Sequence, residues 1–310
     1  MQVGLFGKRQ KRSGSVYHCI VNPTAGRGKG RNFIPVIESF ICSHNMSIEI
    51  RVTECGGDAA KWAEAACAAG SQGIIGVGGD GTMQEIVSGM LKGCDKCNTP
   101  LGVISCGSGN DWGRTVGRQP AAGVSDCLNA IASGKLRKID AIRANDMACI
   151  NIANIGLDAR IVRNAQPFKK IFGKNSYVLS TVISIFQHKN IPVAVRIDGV
   201  ERLKEKFTLA AICNGQYYGG GMRITPVAAM DDGRITMCLI SAMSRLKVFM
   251  LFPLVLLERH MGLKDVNYIE CKQVTIIPEG PQTLCLDGNL YECSGSLDFE
   301  ILPGAIQIYG

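Results

Sequence analysis

The residues best suited to chemistry in this chain are its glycine-rich turns. Gly78-Gly79-Asp80-Gly81-Thr82 follows an apolar strand and leads into a helix. The first N–H groups of a helix lack intrahelical partners and the helix dipole is positive there, so an anion such as phosphate is the natural guest. Glycines let phosphate oxygens reach the backbone without a side chain in the way. Asp80 repels phosphate but can hold a Mg²⁺ ion that bridges to it. Thr82 offers a hydroxyl or a cap. Taken alone, the pattern is equally a plain turn capped by Asp80 or Thr82.

Two further turns strengthen the phosphate reading. Gly107-Ser108-Gly109-Asn110-Asp111 also lies between a strand and a helix, and Asn22 to Gly30 follows the first strand and adds Arg27 and Lys29. Successive strands of a parallel sheet end at the same edge, so the three turns can face one crevice. Their spacing matches neither GxxxxGK[ST] nor GxGxxG. Two Asp-Gly pairs, Asp232-Gly233 and Asp287-Gly288, are strong hairpin signals in themselves. The histidines are scattered. Cys94-Asp95-Lys96-Cys97 is a single CxxC without the second half-site that a structural zinc needs.

The elements that must position these turns fall into two textures. Val16–Val21, Met46–Thr53, Gly73–Val77 and Leu101–Ser105 read as strands, alternating with helical stretches at Asn32–Ser43, from Asp58 (as N-cap) to Gly70, Met83–Leu91 and Val124–Ser133. Strand, turn and helix repeated this way predict a parallel sheet with helices on both faces. After Gly134 short alternating runs take over: Lys138–Arg143, Cys149–Ile155, Pro192–Ile197, Lys206–Cys213, Arg234–Ile240, Tyr268–Ile277 and Leu297–Leu302. Helical stretches interrupt near Ser176–Gln187 and Leu246–Glu258. The expected fold is α/β plus β: a nucleotide-type α/β domain over residues 1–135 and a mainly antiparallel β-sandwich or barrel over 136–310.

Composition narrows the class. At 310 residues and 46% hydrophobic, with 19% charged, the chain has material for a large core and is not disordered. Lys8, Arg9, Lys11, Arg12, Arg27, Lys29 and Arg31 precede the first acid, Glu38, and the remaining 27 bases and 26 acids nearly cancel. The net charge of +8 is therefore an N-terminal feature, suited to a nucleotide or an anionic membrane surface. Aromatics are only 6% and do not interleave with the bases, which argues against nucleic acid. The 14 cysteines read as reduced thiols of a cytoplasmic protein, since a chain of this size needs no staples. The longest apolar run, Val248–Leu257, is too short to span a membrane and contains Pro253. It reads as a buried helix first and a lipid-touching surface second.

Asn22-Pro23-x-x-Gly26-Arg27-Gly28, Gly78-Gly79-Asp80-Gly81-Thr82, and Pro100-Leu101-Gly102-Val103-Ile104 leading into Gly107-Ser108-Gly109-Asn110-Asp111 together resemble the diacylglycerol kinase catalytic-domain family. That family includes the soluble bacterial lipid kinases and, more distantly, sphingosine and ceramide kinases. The likeness runs over nearly the whole chain. The Gly-Gly-Asp-Gly-Thr piece alone is also found in NAD kinases. The resemblance implies an NAD-kinase-like α/β domain, a β-rich second domain, and an active site in the cleft between them.

It also implies roles. ATP would lie against Asn22, Thr53, Gly79, Asp80, Gly81, Thr82, Glu85 and Ser108, with Asp80 helping to organise the catalytic Mg²⁺. Asp232 would ligate a structural Mg²⁺ through its carboxylate, with Ala229 and Arg234 giving carbonyls. Asp287 stands in the base position, taking the proton of a lipid hydroxyl as it attacks the γ-phosphate. Gln84 stands where asparagine is usual, Ser108 where many bacterial members have threonine, and Asn289 where glutamate is usual. The expectation is an ATP- and Mg²⁺-dependent kinase of diacylglycerol or a related lipid alcohol, cytoplasmic and peripheral at the membrane, with a homodimer left open. The alternatives are an NAD-kinase-like enzyme with a soluble substrate, and a catalytically weak nucleotide- or lipid-binding regulator.

Overall fold

The computed structural model describes residues 16–117, 123–165 and 175–310. The basic residues before Val16 lie outside it. The first half is the alternating unit the sequence predicts: β1 (Tyr17–Val21), α1 (Ala25–His44), β2 (Ile48–Val52), α2 (Asp58–Ala68), β3 (Gly73–Gly78), α3 (Asp80–Met90), β4 (Leu101–Ser105), α4 (Asp111–Thr115) and α5 (Gly123–Ser133). The four strands are parallel in the order β2-β1-β3-β4. Side-chain alternation explains the two covered faces. Ile20 and Ile74 pack with Ala63, Ile86 and Val87 of α2 and α3, whereas Val21, Ile75 and Val77 pack with Ile37 of α1 and Leu128 of α5.

The second half contains β5 (Leu136–Ala144), β6 (Met147–Cys149), β7 (Ile152–Gly156), α6 (Leu157–Ala165), α7 (Asn175–Phe186), β8 (Ile191–Ile197), β9 (Val200–Cys213), β10 (Tyr217–Tyr218), β11 (Met222–Arg223), β12 (Ile235–Ser241), α8 (Arg245–Leu256), β13 (Val266–Cys271), β14 (Gln273–Pro278), β15 (Gln282–Leu286), β16 (Asn289–Cys293) and β17 (Leu297–Tyr309). Its pairings are antiparallel. Strand β9 again alternates. Ala210 and Ile212 face one core with Val195 and Met237; Leu209, Ala211 and Cys213 face another with Ile161 of α6 and Val248 of α8. The long β17 joins the halves, pairing antiparallel with β5 and β14 and parallel with β4 through Ile308 and Leu101.

Several sequence-based boundaries shift, each for a physical reason. The segment Ala25–His44 opens with a kink, Gly26, Arg27 and Gly28 being left-handed, so the regular part of α1 starts only after Gly28, a little before the predicted Asn32. Gly57, not Asp58, caps α2, because the Asp58 carboxylate turns back to accept the N–H groups of Glu54 and Cys55. The predicted strand Cys149–Ile155 is split between β6 and β7. Its central N–H groups, those of Ile150, Asn151 and Ile152, leave the ladder and donate to Asp287. The predicted strand Tyr268–Ile277 is likewise split, into β13 and β14. The run Val248–Leu257 is one helix that keeps its Pro253, but only part of it is buried. Among the described residues no helix is long and apolar enough to cross a membrane.

Candidate active site

The loops after β1, β3 and β4 meet at one edge of the parallel sheet, and they do so by close backbone approach. A Cβ at Gly107 would lie 2.5 Å from the Gly79 Cα, and one at Gly26 only 1.9 Å from the Cys106 carbonyl oxygen. These positions cannot carry a larger residue without moving a turn. Polar links tie the turns further. The Asp80 carboxylate accepts the N–H groups of Asp111 and Trp112, both at 3.1 Å. Asn22 Nδ2 donates to Thr82 Oγ1 at 3.0 Å. Thr82 thus bonds across to the first loop and does not cap α3.

Together with the β7, β10 and β15–β16 region, these turns enclose a cavity of about 370 Å³. Its wall includes Asn22, Gly79, Asp80, Gly81, Thr82, Glu85 and Ser108, all marked by sequence, with Asp287 and Asn289 from the β15–β16 hairpin. Thr53 is not in this wall. It lines a smaller neighbouring cavity of about 200 Å³ that shares Asn22, Thr82 and Glu85. Arg27 and Lys29 do not line the main cavity either. The Asp232 loop sits elsewhere: Asp232 Oδ1 accepts the Arg234 N–H at 2.9 Å, and the adjoining Gly233 N–H donates to buried Asp140 at 2.8 Å.

Asp287 is placed by its hairpin. Asp287 and Gly288 both have positive φ, 49° and 93°, and Leu286 pairs with Asn289 across them. That is the type I′ turn expected of Asp-Gly, and both readings of the pair are compatible. The carboxylate is buried at the cavity wall and accepts the N–H groups of Ile150, Asn151 and Ile152 at 2.7, 2.9 and 2.9 Å. The Cys149 thiol also donates to Oδ1 at 3.6 Å, whereas Oδ2 accepts only from Ile150 and keeps a lone pair for a further partner. Burial pushes its pKa up to about 7 despite these three bonds.

Sequence reasoning missed two acids of this wall. Asp111 was quoted within a turn but given no role. It bonds to Arg114 at 2.9 Å and accepts the Gly220 N–H at 2.8 Å, and burial followed by the Asp80 charge raises it to about 6. Asp158, at the start of α6, accepts from the Tyr218 hydroxyl at 3.2 Å while its second oxygen is buried without a partner. Burial raises it to about 7. The signal available in the sequence was a lone acid within the apolar stretch Ile152–Ile161.

Among the described residues the wall thus holds Asp80, Glu85, Asp111, Asp158 and Asp287, and no lysine or arginine. A polyphosphate entering this cavity needs a divalent cation to offset the repulsion, so the donor set fits Mg²⁺. The second loop also fits a cation. Burial raises the Asp232 pKa, and the nearby Asp140 and Glu270 charges add to it. No group of three or more His, Cys, Asp or Glu side chains forms a metal cluster among the described residues, so carbonyls and water would complete either shell. The CxxC holds no such cluster: Cys97 Sγ lies 3.5 Å from Cys67 Sγ, and none of the 14 cysteines forms a disulfide.

Two of the three residues that depart from the expected motifs, Gln84 and Asn289, touch each other. Asn289 Nδ2 donates to Gln84 Oε1 at 3.0 Å, and Gln84 Nε2 donates to Ser88 Oγ and the Ala148 carbonyl. An amide pair therefore spans the cleft between α3 and β16, beside Asp287.

Comparison with known proteins gives the family and agrees with the two-part fold. Residues 17–144 match the diacylglycerol kinase catalytic domain, and residues 151–310 match the YegS C-terminal NAD kinase beta sandwich-like domain. The chain belongs to this family of lipid kinases. It is 28% identical over 256 residues to a diacylglycerol kinase of Mycobacterium tuberculosis, covering 81% of each chain. Its fold resembles a diacylglycerol kinase from Bacillus anthracis (TM-score 0.76, 23% identity, 95% of this chain and 96% of that one). It also resembles an NAD kinase from Archaeoglobus fulgidus solved in complex with ATP (TM-score 0.54, 16% identity, 95% and 93% covered).

Proposed function

We propose that the protein transfers the γ-phosphate of ATP to the hydroxyl of diacylglycerol or a related lipid alcohol at a membrane surface. The observation that carries this reading is the convergence of three glycine turns and a buried carboxylate with pKa near 7 on one cavity. The α/β half, residues 1–135 in this reading, holds the nucleotide: backbone N–H groups of the turns grip the phosphates, with Asn22, Thr82, Glu85 and Ser108 beside them and Thr53 one shell out. Asp80, which braces the third turn, would help to hold a Mg²⁺ ion that would supply charge neutralisation for the triphosphate. The β half, residues 136–310, presents the acceptor. Asp287, held rigid by three N–H groups, takes the hydroxyl proton as the oxygen attacks in line. Ala229, Asp232 and Arg234 would hold a second Mg²⁺ that stiffens the β12 entrance.

One observation favours a second reading. The Gln84–Asn289 pair keeps the cleft bridged while leaving no charge at position 289, as a nucleotide-binding protein with weak turnover would.

The test is radiolabelled MgATP with purified protein and a panel of vesicle-borne lipid alcohols, with NAD offered in parallel. The kinase reading expects label in a lipid product. Label in NADP alone, or ATP binding with no labelled product from any acceptor, overturns it.

A further inference from the structure

We infer that the outward face of α8 is the surface by which this protein seats itself on an anionic bilayer. The inference rests on the lipid-kinase reading and names the partner of the same site.

Beyond its first turn, which carries Arg245 and Lys247, helix α8 is apolar on every side. Val248, Leu251 and Val255 are buried in the core shared with α6 and α7. Phe252 is half-buried against the same core, and five large residues are exposed: Leu246 (68% exposed), Phe249 (54%), Met250 (56%), Leu256 (51%) and Leu257 just beyond the helix (63%). Spacings of three, four and seven, with exposed Pro253 between, place them in one stripe along the helix. Phe186, at the end of the neighbouring α7, is also 68% exposed. Scattered apolar residues on a surface need no explanation, but a continuous stripe of this kind marks a contact.

Charge selects the occupant. From Ser244 to Lys264 the chain carries Arg245, Lys247, Arg259 and Lys264, all exposed, and a single acid, Glu258, which is ion-paired with Arg223 at 3.5 Å. The cations flank both ends of the stripe. A second copy of the chain docking here would bring these like charges together, in either helix orientation. A leaflet of anionic headgroups meets them with opposite charge and offers acyl chains to the stripe. The position also suits the site. Ile161 belongs to the same buried cluster as Val248 and Leu251, and it lines the active-site cavity together with Val162 and Met222. The apolar cluster beneath α8 therefore reaches the wall of the active-site cavity.

The test is vesicle flotation of the full chain without ATP, using phosphatidylcholine vesicles with and without phosphatidylglycerol. It needs no turnover, so it stands or falls separately from the kinase reading. The wild type is expected to float with the anionic vesicles. The double variant Phe249→Glu, Met250→Glu is expected to lose about tenfold or more in partitioning at an unchanged melting midpoint, since both side chains are already exposed. Insertion itself is read with Phe249→Trp, whose indole should shift to the blue on anionic vesicles and be quenched by brominated acyl chains. Partitioning unaffected by the two glutamates, or an indole that stays in water, overturns the inference. A dimer that dissociates in the double variant while flotation is unchanged overturns it too and assigns the face to a second copy.

Discussion

The two walls of the active-site cavity are built on different physics. The wall proposed for the nucleotide is mostly backbone, its side chains absent at Gly26, Gly79, Gly81, Gly107 and Gly109. On the acceptor side they are side chains on strands and on α6, with Asp287 and Asp158 buried and the Asn151 and Asn154 amide oxygens lacking partners within the protein. A backbone wall grips what every nucleotide triphosphate shares. A wall of buried, unpaired polar atoms discriminates, because a wrong guest leaves them unsatisfied. Specificity should therefore reside in the second half of the chain, and nucleotide affinity in the first.

The sharpest break in this contrast is Asp287→Asn. It removes the proton acceptor while leaving the glycine turns intact, so labelled product should fall by about 10²- to 10⁴-fold. Nucleotide affinity, measured by calorimetry, should change little. The variant should also lose about 1–3 kcal/mol of stability, read by denaturant unfolding, because an amide meets three N–H donors that the carboxylate now satisfies.

Gly107→Ala attacks the other wall. Its Cβ would sit 2.5 Å from the Gly79 Cα, backbone against backbone, and overpacking of this kind costs about 1–3 kcal/mol. The expected result is a loss of about 10- to 100-fold in MgATP affinity, with the pH profile of any remaining turnover unmoved. Affinity within error of wild type would show that the turns do not meet on the nucleotide.

The pH dependence is smaller and follows from burial. A base works ionised, and Asp287 is ionised above about 7. The rate should rise about tenfold per pH unit up to that point and then level. Asp158 is also raised to about 7, so the limb must persist in Asp158→Asn if Asp287 is its source. The smallest effect expected is that of Asn289→Glu. A negative charge beside Asp287 should move the same limb upward by about half to one pH unit, with turnover altered only modestly. Turnover that appears only in this variant would favour the regulator reading.

Much of the nucleotide wall was readable from the sequence because its causes are local. A glycine run between an apolar strand and an amphipathic helix states where the chain turns, and parallel pairing of β1, β3 and β4 sends the three turns to one edge. The acceptor wall was less readable. Asn151 and Asn154 sit in what looks like a plain strand, and the break at Ile150–Ile152 exists only because a residue more than a hundred positions later captures those N–H groups. The Gln84–Asn289 pair was visible as two separate departures from a motif, but not as one contact. The apolar run of α8 was visible as well, while which of its residues face water depends on how α6 and α7 pack against it.

The sequence by itself determined the two-part α/β and β architecture, the hairpin at Asp287-Gly288 and the anion-seeking turns, since each follows from glycine geometry or hydrophobic period over a few residues. Only the tertiary structure decided that this hairpin turns its carboxylate into the cavity, and that burial there raises its pKa to about 7. Desolvation is a property of everything packed around a group, and no short stretch of chain contains it.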